Sequence, residues 1–216
     1  MLHQETVEAN TFRLLKNLMQ DAELSSFSLA GGTSLALLLG HRMSIDLDLF
    51  TPVPFNATDL EQYLIDKYDF KSSYLRGYTL KGMIGNVNID CIRHDYPFIK
   101  DTIITEGIRL YSIEDVSAMK LSAIADNGTR LKDFIDIACL STQCSLTDML
   151  KAYEKKFSNS NSVRAIKGLS YYDDVNFNES ILMINGSYRW DMIRERIYEM
   201  QSNPDKIFSS LPLEFS

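Results

Sequence analysis

The stretch from Leu29 to Phe50, LAGGTSLALLLGHRMSIDLDLF, constrains the fold more than any other. It opens with a turn of small residues, Ala30-Gly31-Gly32-Thr33-Ser34. A short apolar helix follows from Leu35 to Leu39, closed by Gly40, and then a strand from Ile45 to Phe50. Residues two apart on a strand share a face. Asp46 and Asp48 are therefore expected side by side, with Ile45, Leu47 and Leu49 filling the opposite face. Two carboxylates aimed together repel each other and invite a cation.

The patterning on either side supplies elements to frame that pair. Residues 6 to 24 read as a helix with a stripe of Leu15, Leu18, Met19, Ala22 and Leu24. Phe27 to Ala30 reads as a short buried strand. Thr58-Asp59-Leu60-Glu61 has the form of a capping box opening a helix to about Lys67. Strands from about Tyr78 to Ile84 and from Val87 to Ile92 are expected to pair across Gly85-Asn86. In the second of these, Val87, Ile89 and Cys91 share one face, and Asn88 and Asp90 the other. A further strand is expected from Ile103 to Tyr111.

From Ser112 the pattern becomes helical. Ser112-Ile113-Glu114-Asp115 opens a helix to about Asp126, and another follows from about Arg130 to Leu140. Ser145 opens a third, to about Phe157. Ser158 to Ser162 is the best internal linker, and Tyr188 to about Met200 forms a last amphipathic helix. Trp190, Ile193 and Ile197 read as core. The expected class is α+β, with an α/β part over 1–111 and a helical part over 112–216.

Composition limits the function classes. The net charge of −7 argues against nonspecific coating of nucleic acid. It leaves room for a local basic patch gripping an RNA end, drawn from Lys16, Lys151, Lys155, Lys156, Arg164 and Lys167. Cys91, Cys139 and Cys144 form no CxxC pair, and with no signal peptide the chain reads as a reduced, cytoplasmic protein. No apolar run approaches the roughly 18 residues a membrane span needs. The three histidines and these cysteines have no zinc spacing.

Two aspartates on one strand and a third on a neighbouring strand suit Mg²⁺, which takes oxygen ligands and keeps contact with phosphate. Asp90, a polar residue in an apolar strand, is the natural third member. Acids on an exposed strand face are the plain alternative for Asp46 and Asp48. Gly31-Gly32 before a helix start aims backbone N–H groups and a helix dipole at one point, a ready phosphate site. Thr33 and Ser34 add hydroxyl donors. For the two glycines taken alone, a tight strand-to-helix turn is the better reading. No Walker A or Rossmann fingerprint is present.

Taken together, Ala30-Gly31-Gly32, thirteen intervening residues and Asp46-Leu47-Asp48-Leu49 resemble the signature of the DNA polymerase beta-like nucleotidyltransferase superfamily. The whole block GGTSLALLLGHRMSIDLDLF is similar to that of the AbiEii-type toxin nucleotidyltransferases, which include the MenT-like toxins. Arg42 and Ser44 sit where that block has its Arg and Ser. Arg42 is either a phosphate contact or a surface arginine, and Ser44 a buttress for the aspartates or a plain strand hydroxyl. A second block resembles the same family, with Lys120 in KLSAIA and then RLKDFIDI, which carries Asp133 and Asp136. Lys120 falls within its helix's apolar stripe and so needs a partner or a ligand. A lysine snorkelling at the edge of the stripe is the alternative. Lys132 with Asp136, and Arg130 with Asp133, could simply be helix ion pairs.

The resemblance implies a small mixed sheet flanked by helices. It implies an NTP held by Gly31, Gly32, Thr33, Ser34, Arg42, Ser44 and Lys120, with Asp133 or Asp136 positioning Lys120 or the nucleotide. It also implies Mg²⁺ on Asp46, Asp48 and Asp90. The expected reaction moves an NMP to an acceptor hydroxyl, with the tRNA 3′ end as acceptor and a cognate antitoxin as partner. Transfer to a small molecule such as an aminoglycoside, transfer to a protein hydroxyl, and non-catalytic partner binding are the alternatives.

Overall fold

A computed structural model describes residues 1–214. Seven strands form one mixed sheet in the order β3-β4-β5-β2-β1-β7-β6. They are β1 (Ser28–Leu29), β2 (Leu47–Thr51), β3 (Lys71–Arg76), β4 (Thr79–Ile84), β5 (Val87–Arg93), β6 (Ile103–Thr105) and β7 (Ile108–Leu110). β2 runs parallel to β5, and β1 parallel to β7; the other neighbours are antiparallel. The helices are α1 (Ala9–Gln20), α2 (Gly31–Leu39), α3 (Ala57–Tyr68), α4 (Ile113–Asp126), α5 (Leu131–Leu140), α6 (Leu146–Lys156), α7 (Ser162–Leu169) and α8 (Trp190–Ser202).

The chain divides into two compact units. The first contains Met1–Leu38, Ser44–Pro97 and Thr102–Tyr111; the second contains Leu39–Met43, Phe98–Asp101 and the chain from Ser112 onward. All seven strands belong to the first unit. Its core gathers Leu47 and Leu49 of β2, Leu80 of β4 and Ile89 and Cys91 of β5 on one face of the sheet, with Leu15 and Leu18 of α1 and Leu64 of α3. In the second unit α4 packs against α5, α6 and α7, and α5 against α8. Ser112 and Ser145 cap α4 and α6 as their spacing predicts, accepting from the backbone N–H of Asp115 and Asp148 at 3.0 and 3.2 Å.

Several boundaries differ for identifiable reasons. The first helix ends at Gln20 because Asp21 turns to extended backbone. The Asp21 carboxylate accepts from the hydroxyls of Tyr63 and Tyr68 at 2.8 and 2.6 Å and pairs with Lys67 at 2.9 Å. Asn56 rather than Thr58 caps α3, its side chain accepting from the amides of Thr58 and Asp59. The single strand expected over 103–111 is a hairpin, because Glu106 and Gly107 both adopt positive φ (52° and 79°), the requirement of a tight two-residue turn. Ser162 begins a helix instead of closing a linker. β3 has no counterpart in the sequence reading: all six of its residues are exposed and show no alternation. The strand expected from Ile45 begins at Leu47, and Ile45 is 53 % exposed rather than filling the apolar face. No helix among the described residues is long and apolar enough to cross a membrane.

Candidate active site

β1 runs directly into α2, and Gly31 is the hinge. Its φ of +65° is strained for any residue with a Cβ, and a Cβ there would collide with the carboxylate of Asp48. The glycine thus lets the start of α2 lie against Asp48. The backbone N–H of Ala30 donates to the Asp48 carbonyl at 2.8 Å, fixing the approach.

Asp48 of β2 is the register partner of Asp90 of β5. Paired residues in a ladder project to the same side, here opposite to Leu47, Leu49, Ile89 and Cys91. Asp46 precedes β2, and its carboxylate accepts from the Asn88 side chain at 2.8 Å. Asn88 lies two residues before Asp90 and therefore on its face. Lys81 of β4 is the register partner of Asp90 on the other side and donates to its carboxylate. Asn88 thus gives the Asp46 carboxylate a hydrogen bond, and the Lys81 ammonium offsets the charge of Asp90.

Lys81 and Asn88 were not singled out by the sequence reading, although the sequence contains the signal for Lys81. A two-residue turn at Gly85-Asn86 makes Ile84 face Val87, and counting back three on each side puts Lys81 opposite Asp90. Among the described residues no three His, Cys, Asp or Glu side chains are gathered into a group that could hold a metal. The donors are nevertheless the right kind for Mg²⁺: carboxylate oxygens only, two of them register partners, beside a helix start that a Cβ would block.

The hydroxyls of the glycine turn point inward. Thr33 and Ser34 are 1 % and 0 % exposed. The Thr33 hydroxyl donates to the carbonyl of Asp46 and lies 2.8 Å from the Ser44 hydroxyl. Thr33 and Ser44 thus tie α2 to the segment carrying Asp46, the buttress reading of Ser44. Both side chains of the turn are therefore closed off from solvent.

The second unit holds its own charged cluster. Arg42 is neither a surface arginine nor open to phosphate. It is 4 % exposed, and its Nε and Nη2 fork onto Asp136 at 2.7 and 2.8 Å while Nη1 donates to the Met43 carbonyl. Lys120 pairs with Asp133 at 2.6 Å and with Asp136 at 2.7 Å. Lys132 pairs with Glu179 rather than Asp136, and Arg130 reaches Asp133 only at 3.9 Å. His41, which the sequence reading passed over, is wholly buried with Nε2 2.8 Å from Asp136.

Burial by itself would raise the Asp136 carboxyl, but the charges of Arg42 and Lys120 and the hydrogen bonds from Arg42 and His41 hold it well below the carboxylate range. Burial likewise opposes the charge on Lys120, and Asp136 and Asp133 overcome it and raise its pKa. His41 is shifted down, chiefly by burial. Of the proposed basic patch, Lys156 is unavailable: it is buried and paired with Asp115 at 2.7 Å.

Residues 13–75 and 82–206 match the family model described as "Nucleotidyl transferase AbiEii toxin, Type IV TA system". An uncharacterized protein of Aquifex aeolicus, aq_aa25, is 29 % identical over 156 residues, covering 69 % of this chain and 75 % of its own. The crystal structure of an antigenic nucleotidyltransferase-like protein from Paracoccidioides brasiliensis shares the fold at a TM-score of 0.53 and 16 % identity, over 95 % of this chain and 98 % of that one. The polyadenylate synthase of a megavirus matches at a TM-score of 0.44 and 16 % identity over 59 % of this chain, which spans only 30 % of that enzyme's length.

Proposed function

The chain belongs to the AbiEii nucleotidyltransferase toxin family, and from that premise we propose that it transfers an NMP from an NTP to the 3′-terminal hydroxyl of a tRNA, with Mg²⁺ as cofactor and a cognate antitoxin restraining it. The observation that carries this reading is the register pairing of Asp48 with Asp90, on one face of the sheet, beside the glycine-led start of α2.

In this reading the amides of Gly31 and Gly32 hold the outer phosphates of the NTP at the positive end of the α2 dipole. Mg²⁺, held by Asp46, Asp48 and Asp90, would supply neutralising charge to the triphosphate and favour ionisation of the acceptor hydroxyl. Asp90 receives the hydroxyl proton as the oxygen attacks the α-phosphorus. A new P–O bond forms to the acceptor, the bond to the bridging oxygen of the β-phosphate breaks, and pyrophosphate leaves in line with the attack. Asn88 and Lys81 orient the flanking carboxylates. In the second unit, Asp133 and Asp136 hold the buried Lys120 ammonium, and Arg42 grips Asp136 beside it.

The test is incubation with each labelled NTP, Mg²⁺ and total RNA, beside an Asp48→Ala control and a chelated sample. Label on tRNA, lost in both controls, is the expected result. Label on protein, or on an added aminoglycoside, would move the acceptor to another class. Absence of transfer to any acceptor would overturn the proposal.

A further inference from the structure

The acid-bearing face of the sheet does not stop at Asp90. Register carries it outward through β4 and β3. Lys81 faces Asp90, Thr79 faces Ile92 and Met83 faces Asn88; beyond them Lys71 faces Met83, Tyr74 faces Lys81 and Arg76 faces Thr79. The row Asp48, Asp90, Lys81, Tyr74 thus crosses four adjacent strands on one side of the sheet. With strands about 4.8 Å apart, Tyr74 stands roughly 10 Å from Asp90.

One irregularity creates this arrangement. The β3–β4 register shifts between Ser72, which faces Gly82, and Tyr74, which faces Lys81. Ser73 is the extra residue, and its hydroxyl donates to the Lys81 carbonyl at 3.2 Å. Without the bulge Ser73 would face Lys81, and Tyr74 and Arg76 would fall on the opposite side, level with Leu80 and Tyr78. A single inserted residue changes the face of everything beyond it. Here the change brings an exposed tyrosine and an exposed arginine onto the side of the carboxylates.

Charge selects the occupant. Lys71, Arg76 and Lys81 are the only charged residues between Asp69 and Asp90, in a chain of net charge −7. Lys71, Tyr74 and Arg76 are exposed, with Tyr74 at 46 %. Cations at intervals around an open aromatic ring match the alternation of phosphate and base in a single strand. We propose that the outer strands β3 and β4 form a track for the single-stranded end of an RNA acceptor. Tyr74 stacks on a base, Lys71 and Arg76 take phosphates, and Lys81 guides the last nucleotide toward Asp90. The inference rests on the nucleotidyltransferase reading and adds the path by which the acceptor enters. A protein strand added to the β3 edge would instead use the backbone and be indifferent to these side chains.

The experiment is fluorescence anisotropy of the full chain with a labelled single-stranded RNA of about 12 nucleotides, and with the same sequence as a blunt duplex. The variants are Tyr74→Ala, Tyr74→Phe, Lys71→Glu and Arg76→Glu, with Arg13→Glu on α1 as a charge control and circular dichroism to verify folding. Tyr74→Ala is expected to weaken single-strand binding about 5- to 100-fold, with Tyr74→Phe close to the parent. Each charge reversal should flatten the slope of log affinity against log salt by about 0.7 per lost phosphate contact. With a working transfer assay, the same variants should raise the KM for RNA and leave the KM for NTP unchanged.

Asp48→Ala separates the two proposals, because it should abolish transfer and retain RNA binding. If transfer fails with every acceptor, the binding data still decide the track. Unchanged RNA affinity in folded Tyr74→Ala and Arg76→Glu would overturn it, as would equal losses with Arg13→Glu or equal affinity for the duplex.

Discussion

Arg42 reaches Asp136 across 94 residues of sequence and grips it with two nitrogens, Nε to Oδ1 at 2.7 Å and Nη2 to Oδ2 at 2.8 Å. Both side chains are almost entirely buried. His41 and Lys120 complete the shell around the same carboxylate. Breaking a buried pair leaves the remaining charge desolvated and uncompensated, at about 3–5 kcal/mol. Asp136→Asn should therefore lower unfolding free energy by about that amount in denaturant titration, with the midpoint moving and the slope unchanged. A loss under about 1 kcal/mol would mean that water reaches Arg42 and Lys120 and that the cluster is not sealed.

The same cluster makes stability depend on pH. His41 is depressed below its usual pKa, so as pH falls the unfolded chain binds this proton first. The His41 contribution is intact above about pH 6.5 and is lost below it, at up to about 1.4 kcal/mol per pH unit. Asp136 is depressed too; its contribution holds above about pH 4 and is lost only as pH falls through its lowered folded value. Between about pH 6.5 and pH 4, denaturation curves of His41→Gln should show a shallower decline than the parent. Parallel declines would place the proton elsewhere.

Two glycines with nearly equal φ should respond differently to alanine. Gly31 (φ +65°) and Gly85 (φ +58°) each carry the cost of a left-handed backbone, about 1–2 kcal/mol. At Gly85 nothing lies near the added methyl, whereas at Gly31 it meets the Asp48 carboxylate. Gly85→Ala should lose stability and keep its rate. Gly31→Ala should lose stability and also about 100-fold or more in kcat, because a carboxylate displaced by about 1 Å no longer fits its task. Equal rates in the two variants would remove Asp48 from the site.

Arg109 joins three turns of the first unit. Its Nε donates to the Phe27 carbonyl at 2.8 Å, Nη1 to that of Met19 at 2.7 Å and Nη2 to that of Leu24 at 3.0 Å. Lysine keeps the charge but cannot reach three acceptors with a rigid fork. Arg109→Lys should cost about 2 kcal/mol or more, since each carbonyl left without a partner costs about 1–3 kcal/mol. Thermal unfolding would measure it, and a midpoint equal to the parent's would show the fork to be dispensable.

The cysteines should be silent in the folded protein. Cys91, Cys139 and Cys144 are all buried, and burial pushes the thiols of Cys91 and Cys144 up to about 12. A thiol reagent at neutral pH should label none before unfolding and all three after it. Rapid labelling of the native chain would reveal local opening.

By itself the sequence determined the parts of the site that depend on neighbours along the chain. A two-residue period separates Asp48 and Asp90 from Leu47, Leu49, Ile89 and Cys91, so the acid face and the core face can be read directly. The Gly85-Asn86 turn sets a hairpin register, and that register already implies Lys81 opposite Asp90. Capping serines at 112 and 145 start their helices because the bond they make spans only three residues. The positive φ of Gly31 and its approach to Asp48 depend on where β2 and β1 pair, and glycine alone announces only permission. Tertiary structure decided the rest, because it depends on which groups lose water together. Arg42 reads as a surface or phosphate-binding residue until Asp136, His41 and Lys120 close around it. Lys156 reads as part of a basic patch until it is sealed against Asp115. β3 has no periodic signal, since neither of its faces is buried, and it exists because β4 offers an unpaired edge. The bulge at Ser73, which decides the face on which Tyr74 and Arg76 stand, is a property of that pairing and of no local stretch of sequence.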